Sequence, residues 1–286
     1  MADTAGVVPA DVPVVILCGG MGTRLREASE KLPKPLVEIG GMPIVWHIMK
    51  TYRHYGHRRF VLALGYKSEM IKEYFLNYRI RRSDFTLQMS PRFDAEAAHV
   101  GNQLMYGMEF LSVPEDEDWE ITFAETGLKT ATATRLRKVD EYLGDAEHFA
   151  ITYGDGVGAV DISAVLAHHV KSGAVGTVTG VHPSSRYGEM NVNGNMVAEF
   201  NEKPTLAEGW VNGGYFVFKR EFIDSYTSGD PDEMLEHAPL QQLARDGGLT
   251  VYEHTGFWMG MDTFRDWTEL NQLWDSGEAE WKVWND

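Results

Sequence analysis

Short apolar runs alternate with helical periodicity along the first ninety or so residues. The run "PVVILC" has no polar break and reads as a strand buried on both faces. "PIVWHIMKTYRHYG" reads as a helix, "RRFVLALGY" as a strand, "KSEMIKEYFLNY" as a helix and "SDFTLQMS" as a strand. This βαβα succession predicts a mainly parallel sheet with helices on both faces. The segment Pro91–Asp118 has no clear period, and "PEDED" within it marks a solvated turn before the strand "WEITFAE". "HFAITYGDGVG" returns to strand-then-loop, and "DISAVLAHHVKSG" is a helix closed by Gly173. Four strands follow ("AVGTVTGV", "GEMNVNG", "MVAEFNEKP", "GWVNGGYFVFKR"), with a hairpin at Asn193-Gly194-Asn195. The C-terminal region predicts helices over "DEMLEHAPLQQLARDGG" and "DTFRDWTELNQLWDSG" around the strand "LTVYEHTG". No repeat, low-complexity tract or linker interrupts the pattern, so residues 13–286 read as one domain behind a flexible extension at 1–12.

Composition narrows the function classes. The 286 residues carry a formal charge of -16, which argues against nucleic acid or an anionic membrane as partner. A positive pocket within an acidic surface is compatible with that total. The single cysteine, Cys18, excludes an intramolecular disulfide and a CxxC metal site, and its place in the first strand predicts a buried, inert thiol. No apolar run reaches the roughly 18 to 20 residues of a membrane span. The N-terminus lacks a signal-peptide pattern, so cytoplasm is the expected location.

The chemistry begins where the first strand ends, in Gly19-Gly20-Met21-Gly22-Thr23-Arg24, with Lys34 between two prolines beyond it. A glycine loop after the first strand of an α/β sheet presents backbone N–H groups where ligands collect. The spacing is neither GxGxxG nor a P-loop, and a hydride-transfer dehydrogenase would require the former. Arg24 can fork onto a phosphate, and Thr23 adds a hydroxyl. Taken alone, such a loop reads equally as a solvent-facing turn.

With "GGMGTRL", Lys34-Pro35, "LVEIGGMPI", "WHIMKTY", "TYGDGV", "EFNEKP", "VNGGYFVF", "GFWMGMDTFRD" and "LWDSGEAEWKVW" in order, the chain resembles the sugar-1-phosphate nucleotidyltransferases nearly end to end. Within them it is most similar to the glucose-1-phosphate cytidylyltransferases. The resemblance implies an α/β fold with a Rossmann-like, mainly parallel mixed sheet flanked by helices and a smaller C-terminal sugar-binding lobe. Residues 13–160 would then bind nucleotide, and 161–286 would bind sugar phosphate.

The implied reaction is attack by a sugar-phosphate oxygen on the α-phosphorus of a triphosphate, with pyrophosphate leaving. The attacking oxygen is already anionic, so catalysis reduces to positioning and charge neutralisation by cations, Mg²⁺ and acids. By resemblance, Asp155 and Asp262 hold Mg²⁺, and Arg24, Lys34 and Asp155 are catalytic. Leu17, Gly19, Gly20, Gly22, Thr23, Thr132, Arg135 and Gly154 join Arg24 and Lys34 around the nucleotide. Tyr187, Gly188, Glu202, Lys203, Asn212, Gly213, Gly214 and Trp258 line the sugar-phosphate side. A lone Asp-Gly reads as a turn, and a lone Glu-Lys as a surface pair; the joint pattern reverses both readings.

The segment Thr126–Arg135 is expected over the base, and there Ala133 stands where the family usually has glycine. Ala238 stands where it commonly has glutamate, and the segment 91–118 is longer than usual. These departures touch the choice of base and sugar and leave the reaction class intact. The favoured partners are CTP and a sugar 1-phosphate, in a homo-oligomer. The same reaction with another base or sugar is the alternative, and a non-catalytic nucleotide-sugar-binding paralogue is the alternative of another class. The adjacent His168-His169 do not offer two metal ligands on one helix face.

Overall fold

The computed structural model describes residues 6–20, 32–88, 107–111, 117–182, 189–193, 196–201 and 209–285. Contacts divide the chain into two compact units, 1–68 with 119–286, and 69–118. Seven strands of the first unit form its central sheet: β1 (Val14–Cys18), β2 (Arg59–Leu64), β3 (Glu120–Glu125), β4 (His148–Tyr153), β5 (Gly176–Val181), β6 (Val211–Lys219) and β7 (Leu249–His254). Their order is β7-β5-β6-β4-β1-β2-β3. β1 pairs in parallel with β2 and β4, β2 with β3, and β5 with β7, whereas β6 is antiparallel to both β4 and β5. The expected mainly parallel, mixed sheet is therefore present, and four of its seven strands come from the C-terminal half.

The helices used below are α1 (Ile44–His54), α2 (Ser68–Leu76), α3 (Thr132–Val139), α4 (Ile162–Ser172), α5 (Ala238–Arg245) and α6 (Phe264–Asp275). Every residue of β1 is buried, as a central parallel strand covered on both faces requires. Its alternation feeds two layers. Val15 and Leu17 join Val61, Phe149, Ile151, Phe216 and Phe218 on one face, where Ala133, Leu136 and Val139 of α3 and Leu243 of α5 close the core. Phe222 stacks on Phe218 with ring centroids 4.1 Å apart. Each such phenylalanine contributes about 2 kcal/mol by leaving water. α4 packs against β5, β6 and β7, capped by Asp161, which accepts from Ala164 N at 2.9 Å, and ended by Gly173 at φ 67°.

Two sequence expectations change. The helix predicted across "DEMLEHAPLQQLARDGG" begins only at Ala238, because Pro239 suits a first turn and disfavours helical backbone before it. Residues 230–237 instead form turns, such as Glu233 N to Asp230 O at 3.0 Å. Conversely, the segment read for base contacts contains a helix, α3. In the second unit, α2 and a short helix at Tyr78–Arg82 precede an antiparallel pair, Phe85–Gln88 with Gly107–Phe110; the latter is the described strand within the segment that had no clear period. The Met196–Asn201 strand pairs antiparallel with Glu189–Asn193, as the hairpin signal implied.

Candidate active site

β1 and β4 lie side by side in parallel with Leu17 opposite Tyr153, so the loops that follow them emerge together. Gly154 N donates to Leu17 O at 3.2 Å; a β-carbon at Gly154 would lie 3.0 Å from that oxygen and 3.3 Å from Pro35. The next residue is Asp155. Residues Gly156–Gly158 then pair antiparallel with Trp258–Gly260, and Met261 N donates to Asp155 O at 2.8 Å. This three-residue ladder brings Asp262 beside Asp155 from a distant part of the chain.

Lys34 completes the cluster. Its Nζ lies 2.8 Å from Asp155 Oδ2 and 2.8 Å from Asp262 Oδ1. The lysine side chain is 12% exposed and each aspartate 41%, so the acids face solvent while the ammonium sits beneath them. Burial alone would pull the Lys34 pKa down, but Asp155 and Asp262 outweigh it and hold it above the usual value. Lys34 opens a 3₁₀ turn whose Val37 N returns to Lys34 O at 3.1 Å, with Pro33 and Pro35 on either side.

One helix anchors two of these groups. At its start, Thr263 and Asp266 form a capping box, and Asp266 Oδ2 also accepts from Asp262 N at 3.0 Å. Further along, α6 grips the Glu38–Ile39/Met42–Pro43 hairpin that follows Lys34: Trp267 Nε1 donates to Glu38 O at 2.8 Å, and Gly40 N donates to Asn271 Oδ1 at 3.0 Å. Gly40 has φ 59°, and a β-carbon there would fall 2.0 Å from Trp274 Nε1. The tail tryptophans pack inside the chain. Trp281 Nε1 donates to His47 Nδ1 at 3.4 Å, and Trp284 meets Trp46 edge-on.

Against Gly19, just past β1, lies Arg135, 5% exposed. Its guanidinium donates to Leu64 O at 2.9 Å, Gly19 O at 3.3 Å, Leu128 O at 3.4 Å and Thr126 Oγ1. A β-carbon on Gly19 would lie 2.1 Å from Arg135 Cζ, and one on Gly65 would lie 2.7 Å from Nη1. Burial lowers the Arg135 pKa. Thr132 is also engaged: its Oγ1 donates to Glu236 Oε2 at 3.1 Å and accepts from Leu235 N at 2.7 Å. The Leu17 side chain belongs to the core. The side-chain groups of these three residues are bonded or packed within the protein. Ala133 is fully buried, and its β-carbon is part of the core.

A cavity of about 180 Å³ opens beside the acids, lined by Tyr153, Asp155, Gly213, Gly214, Trp258 and Asp262 among others. Trp258 Nε1 donates to Gly213 O at 2.7 Å, and Asn212 Oδ1 accepts from Gly214 N at 2.8 Å. Gly214, at φ 79°, leaves room for the Tyr153 ring, which a β-carbon would meet at 2.6 Å. The Tyr153 hydroxyl donates to Glu236, and burial together with that carboxylate raises its pKa. Glu236 thus joins β4 to α3, a connection the sequence reading missed; the acid sits in a stretch read as plain helix.

Of the expected site residues, Lys34, Asp155, Asp262, Gly154, Gly213, Gly214 and Trp258 come together, with Gly19, Gly20 and Asn212 on adjoining segments. Gly22, Thr23, Arg24, Tyr187, Gly188, Glu202 and Lys203 lie outside the described residues. Cys18 is buried, and burial and then Asp155 raise its pKa, as an inert thiol requires. His168 and His169 diverge, to Thr250 Oγ1 at 3.2 Å and Thr177 Oγ1 at 2.9 Å. Among the described residues no helix is long and apolar enough to cross a membrane.

Comparison with known proteins places this geometry. The family described as "Nucleotidyl transferase" matches residues 13–276. A Bacillus subtilis (strain 168) protein named "Probable glucose-1-phosphate cytidylyltransferase" is 44% identical over 94% of this chain and 99% of its own length. The glucose-1-phosphate cytidylyltransferase of Salmonella typhimurium is 42% identical over 94% of this chain and 98% of its own. Among solved structures, HddC of Yersinia pseudotuberculosis with GMP-PN superposes with a TM-score of 0.63 at 19% identity, covering 92% of this chain and 99% of its own, a likeness of fold. The loop after β1, the paired acids and a match over nearly the whole chain have one reading: this protein belongs to the nucleotidyl transferase family.

Proposed function

We infer that the chain transfers a cytidylyl group from CTP to glucose 1-phosphate, giving CDP-glucose and pyrophosphate. The observation that carries this reading is the convergence of Lys34, Asp155 and Asp262 at strand ends, in a chain 42% and 44% identical to two proteins named for that activity. Ala133, the departure nearest the expected base segment, keeps its side chain in the core and so gives no support to a different base.

The donor set suits Mg²⁺. Two hard carboxylate oxygens converge on one cationic position, and their exposed side leaves room for water and phosphate oxygens. Bound there by Asp155 and Asp262, the metal would neutralise charge on the phosphates. The chain's own groups do the rest. The bare backbone of Gly19 and Gly20 admits the triphosphate, with Gly22, Thr23 and Arg24 continuing the loop. Lys34 holds the α-phosphate and balances the charge that builds as the sugar-phosphate oxygen bonds to the α-phosphorus. The bond from that phosphorus to the bridging oxygen breaks, and its electron pair leaves on pyrophosphate. No base is required, because the attacking phosphate oxygen carries no proton to remove. Tyr153, Gly213, Gly214 and Trp258 bound the hexose, with Asn212 bracing the Gly214 turn; Tyr187, Gly188, Glu202 and Lys203 complete the sugar-phosphate side. A homo-oligomer belongs to the same reading.

The test is pyrophosphate release with glucose 1-phosphate and Mg²⁺, run separately with CTP, UTP, dTTP, ATP and GTP. Turnover with CTP that a chelator stops and Mg²⁺ restores is the expected result. Preference for another triphosphate would overturn the cytidylyl assignment, and no release with any of the five would overturn the reading as a whole.

A further inference from the structure

The Lys34 ammonium stands where two carboxylates converge, on one oxygen of each. At 2.8 Å from Asp155 Oδ2 and from Asp262 Oδ1, Nζ takes the position of a cation bound to that pair of oxygens. Mg²⁺ binds carboxylate oxygen at about 2.0–2.1 Å, which would set it against the ammonium with like charges nearly in contact. The ammonium and a metal ion cannot share that pair of oxygens.

This lysine is held firmly. Its backbone is fixed by a 3₁₀ turn between two prolines, and α6 clasps the hairpin beyond it. Its side chain is 12% exposed, so lifting Nζ off the acids would strand a largely buried charge unless another anion takes their place. The acids are each 41% exposed and reachable from solvent. The lysine stands against both acids, and the anion that could draw it away is the substrate's phosphate.

Resting on the nucleotidyl-transfer reading above, we propose that Lys34 is an internal competitor for the metal acids. It neutralises Asp155 and Asp262 in the substrate-free protein, moves onto the phosphates when nucleotide arrives, and so makes the metal enter with the nucleotide rather than before it. Lys34 then has two functions: balancing charge at the α-phosphate and keeping the empty site free of metal. When nucleotide departs, the ammonium returns to the acids and expels the ion.

The test needs no turnover. Free Mn²⁺ is followed by electron paramagnetic resonance during titration with nucleotide-free protein, comparing wild type with Lys34→Met and Lys34→Gln, each checked for folding by circular dichroism. The two variants should bind Mn²⁺ about tenfold or more tightly than wild type, as loss of an adjacent like charge implies. Adding Asp155→Asn to Lys34→Met should remove the gain. Two variants chosen for different packing keep the test intact if one does not fold. Equal Mn²⁺ affinity in wild type and the folded variants, or a gain that survives Asp155→Asn, overturns the proposal. Failure of the nucleotidyl-transfer reading would appear separately, as absent pyrophosphate release by wild type.

Discussion

Gly19→Ala probes the contact between the end of β1 and Arg135 of α3. The glycine does not occupy left-handed backbone, so alanine meets no conformational penalty of its own; the obstacle is the Arg135 guanidinium, 2.1 Å from the new carbon at Cζ and 2.2 Å at Nη1. Arg135 is held from several sides by Leu64 O, Thr126 Oγ1, Gly19 O and Leu128 O, so it cannot swing aside without losing bonds. Overpacking of this kind costs about 1–3 kcal/mol, and each charged hydrogen bond lost costs about 1.5–3 kcal/mol. Partial relaxation puts the sum at about 2–4 kcal/mol. Arg135→Ala removes the obstruction and carries its own cost, because buried carbonyls lose their donors. In that background Gly19→Ala should cost less than about 0.5 kcal/mol, giving a coupling of about 2 kcal/mol in a double-mutant cycle. Urea unfolding of the four proteins at neutral pH measures it. Equal cost of Gly19→Ala in both backgrounds would refute the contact as the cause.

Two further perturbations test neighbouring parts. Burial lowers the His47 pKa to about 4, against hydrogen bonding to Ile39 O that raises it, so the unfolded chain binds the extra proton between roughly pH 6.5 and 4 while the folded chain does not. Stability is therefore full above about 6.5 and falls toward about 4; a His47→Gln variant should show a flatter loss across that window in urea unfolding followed against pH. Trp258→Phe removes the hydrogen bond to Gly213 O beside the cavity. At about 1 kcal/mol it should raise the KM for the sugar phosphate roughly fivefold and leave the nucleotide KM unchanged in steady-state assays; equal effects on both would move Trp258 out of the sugar site.

Elements with strong periodicity were legible in the chain itself. β1, β2 and β4 follow from short apolar runs, and α6 from its helical spacing. α3 was hidden because Thr132 and Thr134 at its start carry weak helical preference; tertiary burial of Ala133, Leu136 and Val139 decides it. The turns at 230–237 were masked by helix-forming residues; Pro239 stops a helix from running through them, and bonds to α3, such as Ala133 N to Glu233 O at 3.1 Å, hold them. Asp155 and Asp262 were each legible as acids after strands, but their approach depends on a ladder of glycine-rich residues too short to announce itself in sequence. Glu236 had no local signal, since its partners Tyr153 and Thr132 are remote in the chain.

The central claim is that Asp155, Asp262 and Lys34 together form the catalytic centre. The most direct measurement is the kcat for pyrophosphate release from CTP and glucose 1-phosphate by Asp262→Asn, set beside wild type under saturating Mg²⁺ and with unfolding curves confirming a folded variant. Loss of one carboxylate in a charge-stabilising site should lower kcat by about 10²-fold or more. A folded Asp262→Asn enzyme that keeps wild-type kcat would contradict the account.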